Sequence, residues 1–179
     1  GPGETAALAR CQELTRRQPG HSTHWVNLGT LLRGFRRYEE ALAAYIRAAA
    51  LGEDSPSFLY NVGLLHQDRG DYESARRVLA DAARQAPGDT EILIQYAQCC
   101  YDSLHIEAAT AALAGWRQID GLTSEQLATL ALLLLNLGET RDAAEAAARA
   151  AADPEPSAGT LLRLAQVQER SNRVPDALA

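Results

Sequence analysis

Along the chain, stretches of helical apolar and polar patterning alternate with short breaks, and the breaks are of two kinds. Polar breaks fall at Gly34 to Arg37, Arg69 to Asp71, Ser103 to His105, Gly138 to Thr140 and Ser171 to Arg173. The others lie at Pro19-Gly20, Gly52 to Ser55, Pro87-Gly88-Asp89, Gly121 to Ser124 and Pro154 to Ser157. These combine residues that stop one helix with residues able to start the next. Ser55, Asp89, Thr123 and Ser157 are the candidate N-caps, because a short side-chain oxygen can accept from a free N–H of the first turn. The pattern predicts an all-helical chain of helix–turn–helix units.

The units repeat at a spacing of 34 residues. Asn27, Leu28 and Gly29 fall on Asn61, Val62 and Gly63, and Tyr38, Glu39 and Ala41 fall on Tyr72, Glu73 and Ala75. Carried both ways, the period aligns Ala7, Ala41, Ala75, Ala109, Ala143 and Ala177 without an insertion. A second column, Gly29, Gly63, Ala97, Ala131 and Ala165, holds only the two smallest residues, and a third, Trp25, Leu59, Leu93, Leu127 and Leu161, is large and apolar. Small residues recurring opposite large ones are what two helices need when their axes approach closely.

This pattern resembles the tetratricopeptide repeat family, whose unit prefers Trp, Leu, Gly and Tyr in its first helix and Ala, an aromatic residue, Ala and Pro later. Trp25, Leu28, Gly29, Ala41, Tyr45 and Ala48 match in one unit, and Leu59, Gly63, Ala75, Ala82 and Pro87 in the next. The resemblance covers essentially the whole chain. It implies an all-α, right-handed α-solenoid of stacked antiparallel helix hairpins. On this phase residues 4–21 hold the second helix of a truncated repeat, residues 22–55, 56–89, 90–123 and 124–157 are whole repeats, and residues 158–179 are an incomplete one. Residues 1–3 read as a protease-cleavage scar, since the chain opens Gly-Pro and contains no methionine; the chain then reads as a piece of a longer array.

Composition narrows the function class. A net charge of −6 repels a phosphate backbone on average, so no nucleic-acid partner is expected. The apolar run Leu130 to Leu135 is far short of a membrane span, and no membrane partner is expected. All 17 basic residues are arginine, which reads as the codon bias of a GC-rich bacterium. Cys11, Cys99 and Cys100 lack metal-ligand spacing and read as packed thiols of a reducing, cytoplasmic compartment. His21 and His24 straddle a repeat boundary without a third ligand, His66 shares a packing column with Leu32, Cys100, Leu134 and Gln168, and His105 lies in a turn. Glu39, Glu40, Glu73, Glu107 and Asp142 sit at the starts of second helices, where the helix dipole favours them. No nucleophile elbow or phosphate loop occurs, so no catalytic residue, cofactor or metal is assigned and the chain is read as non-enzymatic.

The family resemblance implies that the first helices line a concave groove and bind a protein or peptide. By register the groove takes Asn27, Thr30 and Arg33; Tyr60, Asn61, Leu64 and Gln67; Ile94, Gln95, Gln98 and Tyr101; and Leu132 and Leu135. The amide column Asn27, Asn61 and Gln95 offers donors and acceptors to a peptide backbone and is similar to the asparagine ladder of O-linked N-acetylglucosamine transferases, although it lapses to Thr129 and Arg163. The first helix of the fourth repeat, LATLALLLLNLG, is apolar almost all round, which predicts burial on several sides or self-association there; uncapped ends offer a second route to self-association. Trp116 stands in the column of Leu14, Ala48, Ala82 and Ala150, beside Gly115, and predicts an irregularity over residues 114–122. The rival reading is a recruiting arm of a larger bacterial glycosyltransferase or sulfotransferase.

Overall fold

The computed structural model describes residues 2–173, whose backbone forms ten α-helices and one short 3-10 turn. The chain divides into two compact units between Ala86 and Pro87. The first holds α1 (Pro2–Arg17), α2 (Ser22–Gly34), α3 (Tyr38–Ala50), α4 (Pro56–Asp68) and α5 (Tyr72–Gln85). The second holds α6 (Thr90–Asp102), α7 (Ile106–Leu113), the 3-10 turn Trp116–Gln118, α8 (Ser124–Asn136), α9 (Thr140–Ala151) and α10 (Ala158–Arg173). Within each unit successive helices pair as hairpins, α2 with α3 and α4 with α5, then α6 with α7 and α8 with α9. This is the all-α hairpin architecture of the solenoid class.

Side-chain chemistry sets the helix starts. Ser55 Oγ accepts from the Phe58 N–H, Asp89 Oδ1 from Ile92 and Ser157 Oγ from Thr160, while Thr123 and Gln126 form a reciprocal capping box. The first helices α2, α4, α6 and α8 end in one shared turn, whereas α10 stays helical through Ser171 to Arg173, where the sequence pattern predicts a break. Arg36, Gly70, Leu104 and Gly138, 34 residues apart, all have positive φ. The following N–H groups, of Arg37, Asp71, His105 and Glu139, reach back to the carbonyls of Leu32, His66, Cys100 and Leu134. That pairing satisfies helix-end carbonyls and requires the left-handed conformation that glycine adopts without strain. Arg36 holds it at φ 60° with its side chain exposed, so Arg36→Gly is expected to stabilise the protein by about 0.5–1 kcal/mol, measured by urea denaturation.

The column packing follows from size. A Cβ on Gly29 would stand 2.4 Å from the Tyr45 ring, and one on Gly63 would stand 2.5 Å from Leu79 Cγ. Glycine at these two places lets a large side chain of the second helix lie directly on the first helix's backbone. Tyr45 is buried there, edge-on to Phe58 with ring centroids 5.8 Å apart, and its hydroxyl lies 3.1 Å from Thr30 Oγ1. Burial raises the Tyr45 pKa above its ordinary value. Ala41, Ala75, Ala109 and Ala143 are fully enclosed, whereas Ala7 is exposed on α1 and Ala177 lies outside the described residues. Val174 to Ala179, which the repeat phase gives to a further second helix, lie outside them too.

The second unit contains the irregularity that Trp116 predicts. α7 stops at Leu113 after 8 residues, where α3, α5 and α9 run 13, 14 and 12. Ala48, Ala82 and Ala150 are fully buried in this column, which leaves no room for an indole, and the backbone instead tightens into the 3-10 turn. Trp116 is only 2% exposed and joins the core of Leu113, Leu127, Leu130 and Ala146. Its Nε1–H donates to Asp142 Oδ2 at 3.1 Å, and the guanidiniums of Arg117 and Arg149 lie 5.1 and 5.2 Å from the ring centre.

Arg117 also forks onto Asp142 at 2.7 and 2.8 Å and donates to Glu145, strapping the short turn to α9. Its hydrogen bonds hold both carboxyls below their ordinary 3.8 and 4.5, with Trp116 adding to the effect at Asp142. Depressed carboxyl pKa values mean that the strap's contribution is complete above the ordinary range and is lost as pH falls through the depressed values. The thermal midpoint is therefore expected to drop below about pH 4 more steeply in the wild type than in Arg117→Ala, measured by melting across pH 7 to 2.

Candidate partner-binding face

The first helices lie beside one another within each unit, and polar side chains tie neighbours together across the face they share. In the first unit Arg33 of α2 reaches Asp68 of α4 at 3.6 Å. In the second, Arg163 and Arg170 of α10 donate to Glu125 and Asn136 of α8. These pairs link α2 to α4 and α8 to α10 across the partly exposed face.

The first unit's face is polar. Asn27 and Thr30 are exposed, with Thr30 Oγ1 turned to the Tyr45 hydroxyl, and Arg33, Tyr60, Leu64 and Gln67 are half-buried. Asn61 Nδ2 donates to the Ser57 carbonyl at 2.9 Å, so one of its two N–H donors is spent on its own helix. Sequence spacing could not show this local capture.

The second unit's face is apolar at its floor. Tyr101, Leu132 and Leu135 are half-buried and rest on the core cluster, each leaving part of its surface open. Gln95 and Gln98 are half-buried on α6, and Gln98 Nε2 donates to Asp102 Oδ1 at 2.8 Å. Ile94 corrects the sequence reading. At 9% exposed it belongs to the core with Ala97, Leu127 and Leu130, because α8 packs against this side of α6. The all-round apolarity of α8 has the same origin, since α6, α9 and α10 all contact it. Leu132 and Leu135 are thus partly spent on packing, not wholly solvent-facing as their register implied.

The remaining candidates have structural roles. His21 and His24 lie with ring centres 5.3 Å apart and tilted by 40°, and no group of three possible metal ligands occurs among the described residues. His66 Nδ1 lies 3.2 Å from Asp71 Oδ2, which itself caps α5 by accepting from Ser74. Among the described residues no helix is long and apolar enough to cross a membrane.

Tetratricopeptide repeat models match residues 66–134 and, in a second version, residues 5–58 together with 129–179. The chain belongs to the tetratricopeptide repeat family. This tetratricopeptide repeat chain is 30% identical over 119 residues to the BBSome complex member BBS4 of Bos taurus, a match covering 66% of the chain and 23% of that protein. It therefore spans less than a quarter of the length of this curated relative. Among solved structures it resembles Pseudomonas aeruginosa pilF, with a TM-score of 0.74 at 17% identity over 98% of this chain and 81% of that one. YrrB, described as a TPR protein with an unusual peptide-binding site, superposes with a TM-score of 0.64 at 19% identity, covering 83% and 77%. At these identities the two structures establish the shared fold.

Proposed function

We propose that the chain is a protein-interaction scaffold with no chemistry of its own, and that it takes a peptide or partner segment on the shared face of its first helices. The observation that carries this reading is the floor of Tyr101, Leu132 and Leu135, apolar surface that is held in place by the core yet left partly open. A preformed apolar floor with polar neighbours gives affinity through burial and direction through hydrogen bonds. Asn27, Thr30, Arg33, Tyr60, Asn61, Leu64 and Gln67 provide a polar counterpart on the first unit, where the asparagines retain the likeness to the transferase ladder only in part. The peptide-binding site named for YrrB and the complex membership named for BBS4 support an interaction role. They lend no support to a glycosyltransferase or sulfotransferase arm. The repeat boundaries at 22–55, 56–89, 90–123 and 124–157 belong to the same proposal.

Peptides selected from a random phage-displayed library on the wild-type chain test the reading. The double substitution Leu132→Ser and Leu135→Ser is expected to weaken their binding by about tenfold or more, measured by calorimetry. Each half-buried leucine contributes about 1 kcal/mol to folding, so the helical circular dichroism should survive at 25 °C. Unchanged affinity in the folded double variant would reject the apolar floor as the docking site.

A further inference from the structure

The turn between α6 and α7 departs from its three counterparts in a way that the fold does not call for. A Cβ placed on Gly70 or Gly138 meets nothing within 4 Å, so this register position points into open space. Arg36 occupies it with a charged side chain whose Nε donates to the Tyr38 hydroxyl at 3.2 Å. Leu104 occupies it at φ 63° and is 85% exposed, which makes it a leucine in the left-handed region with its apolar surface in water. Ile106 is 41% exposed, and with Leu104, His105, Glu107 and Ala108 it lines a shallow hollow at the start of α7. Glu107 is exposed and lines the hollow, Asp102 is exposed at the end of α6 and accepts from Gln98 Nε2 with acceptor capacity to spare, and the segment 102–107 contains no arginine. Backbone strain retained where glycine would serve, on a residue that exposes apolar surface beside a hollow, points to function and not to folding.

We propose that the Asp102–Glu107 turn is a second docking surface, distinct from the floor of Leu132 and Leu135, and that it takes an extended segment of a partner protein carrying an aliphatic side chain next to a lysine or arginine. The aliphatic group covers Leu104 and Ile106, and the cation meets Asp102 and Glu107. A second copy of this chain does not fit. Two side chains fall far below the ~800 Å² per partner that a stable dimer buries, and the turn has no lysine or arginine to offer its twin. An anionic membrane surface is repelled by the same carboxylates.

The test is a random linear peptide library displayed on phage, panned on the whole chain and counter-selected on Leu104→Gly. The retained peptides should pair a leucine, isoleucine or valine with a lysine or arginine. A synthetic consensus peptide should bind Leu104→Gly at least about tenfold more weakly and Glu107→Gln about threefold more weakly. Leu104→Gly should melt at or above the wild-type temperature, and the Leu132→Ser, Leu135→Ser variant should bind the peptide unchanged. The proposal is overturned if no peptide separates wild type from Leu104→Gly, if the retained peptides lack the cation, or if Leu104→Gly melts lower and so marks Leu104 as a packing residue.

Discussion

Replacing Trp116 with alanine is expected to destabilise the protein by about 3–5 kcal/mol, the range for deleting a buried aromatic side chain. Two losses combine. The indole fills the space left where α7 breaks off, and its absence leaves a cavity among Leu113, Leu127 and Leu130. Its Nε1–H also donates to Asp142, a hydrogen bond lost with the ring while those from Arg117 remain. Trp25 supplies the control, because it is only half-buried and its Nε1–H donates to the Pro19 carbonyl near the protein's surface. Trp25→Ala should cost clearly less, about 1–2 kcal/mol. Chemical denaturation of both variants checks the difference, and equal costs would show that the 3-10 turn is not a core element.

A Gly29→Ala substitution is expected to cost about 1–3 kcal/mol, although alanine is the better helix former by about 1 kcal/mol. The added methyl would lie 2.4 Å from Tyr45 Cε1 and 2.5 Å from Cδ1, inside van der Waals contact. The ring cannot swing away, since it is 1% exposed, packed against Phe58 and anchored at its hydroxyl by Thr30. Gly34→Ala on the same helix should go the other way, stabilising by about 0.5 kcal/mol, because nothing lies within 4 Å of the position. Opposite signs for one chemical change on one helix would attribute the first cost to the tyrosine. If Gly29→Ala is neutral, the close approach of α2 to Tyr45 is not a constraint on this hairpin.

The helical architecture was legible because its causes are local and repeated. Ser55, Asp89, Thr123 and Ser157 can be read as caps from residue type and position alone, and each accepts the N–H its place suggests. The break at Trp116 was legible for the same reason, since an indole in a column of buried alanines has no slot. Three features were not. The left-handed turn column hides because only Gly70 and Gly138 announce it, while Arg36 and Leu104 adopt the same backbone without the residue that signals it. Ile94 was misplaced because register gives the direction of a side chain from its own helix but not what α8 lays over it. The strap from Arg117 to Asp142 and Glu145 depends on how the chain turns after α7 ends, and helix-dipole reasoning at Asp142 gives no hint of it. Of the candidate face, the residue identities were readable from the period, but how far each is buried depends on neighbouring helices.

The glycine-on-ring contact in α2 and α3 constrains how such a chain can change over generations. The two positions that carry Gly29 and Tyr45 carry Gly63 with Leu79, Ala97 with Leu113 and Ala131 with Ala147 in later hairpins. Alanine occupies the first position only where the second residue is smaller than tyrosine. A lone copying of Ala131's residue type into position 29 would collide with Tyr45, while exchange of a whole hairpin carries both members and collides with nothing inside itself. Repeats built this way can be traded as units by recombination, whereas a point mutation that enlarges position 29 meets Tyr45 unless that ring is replaced first.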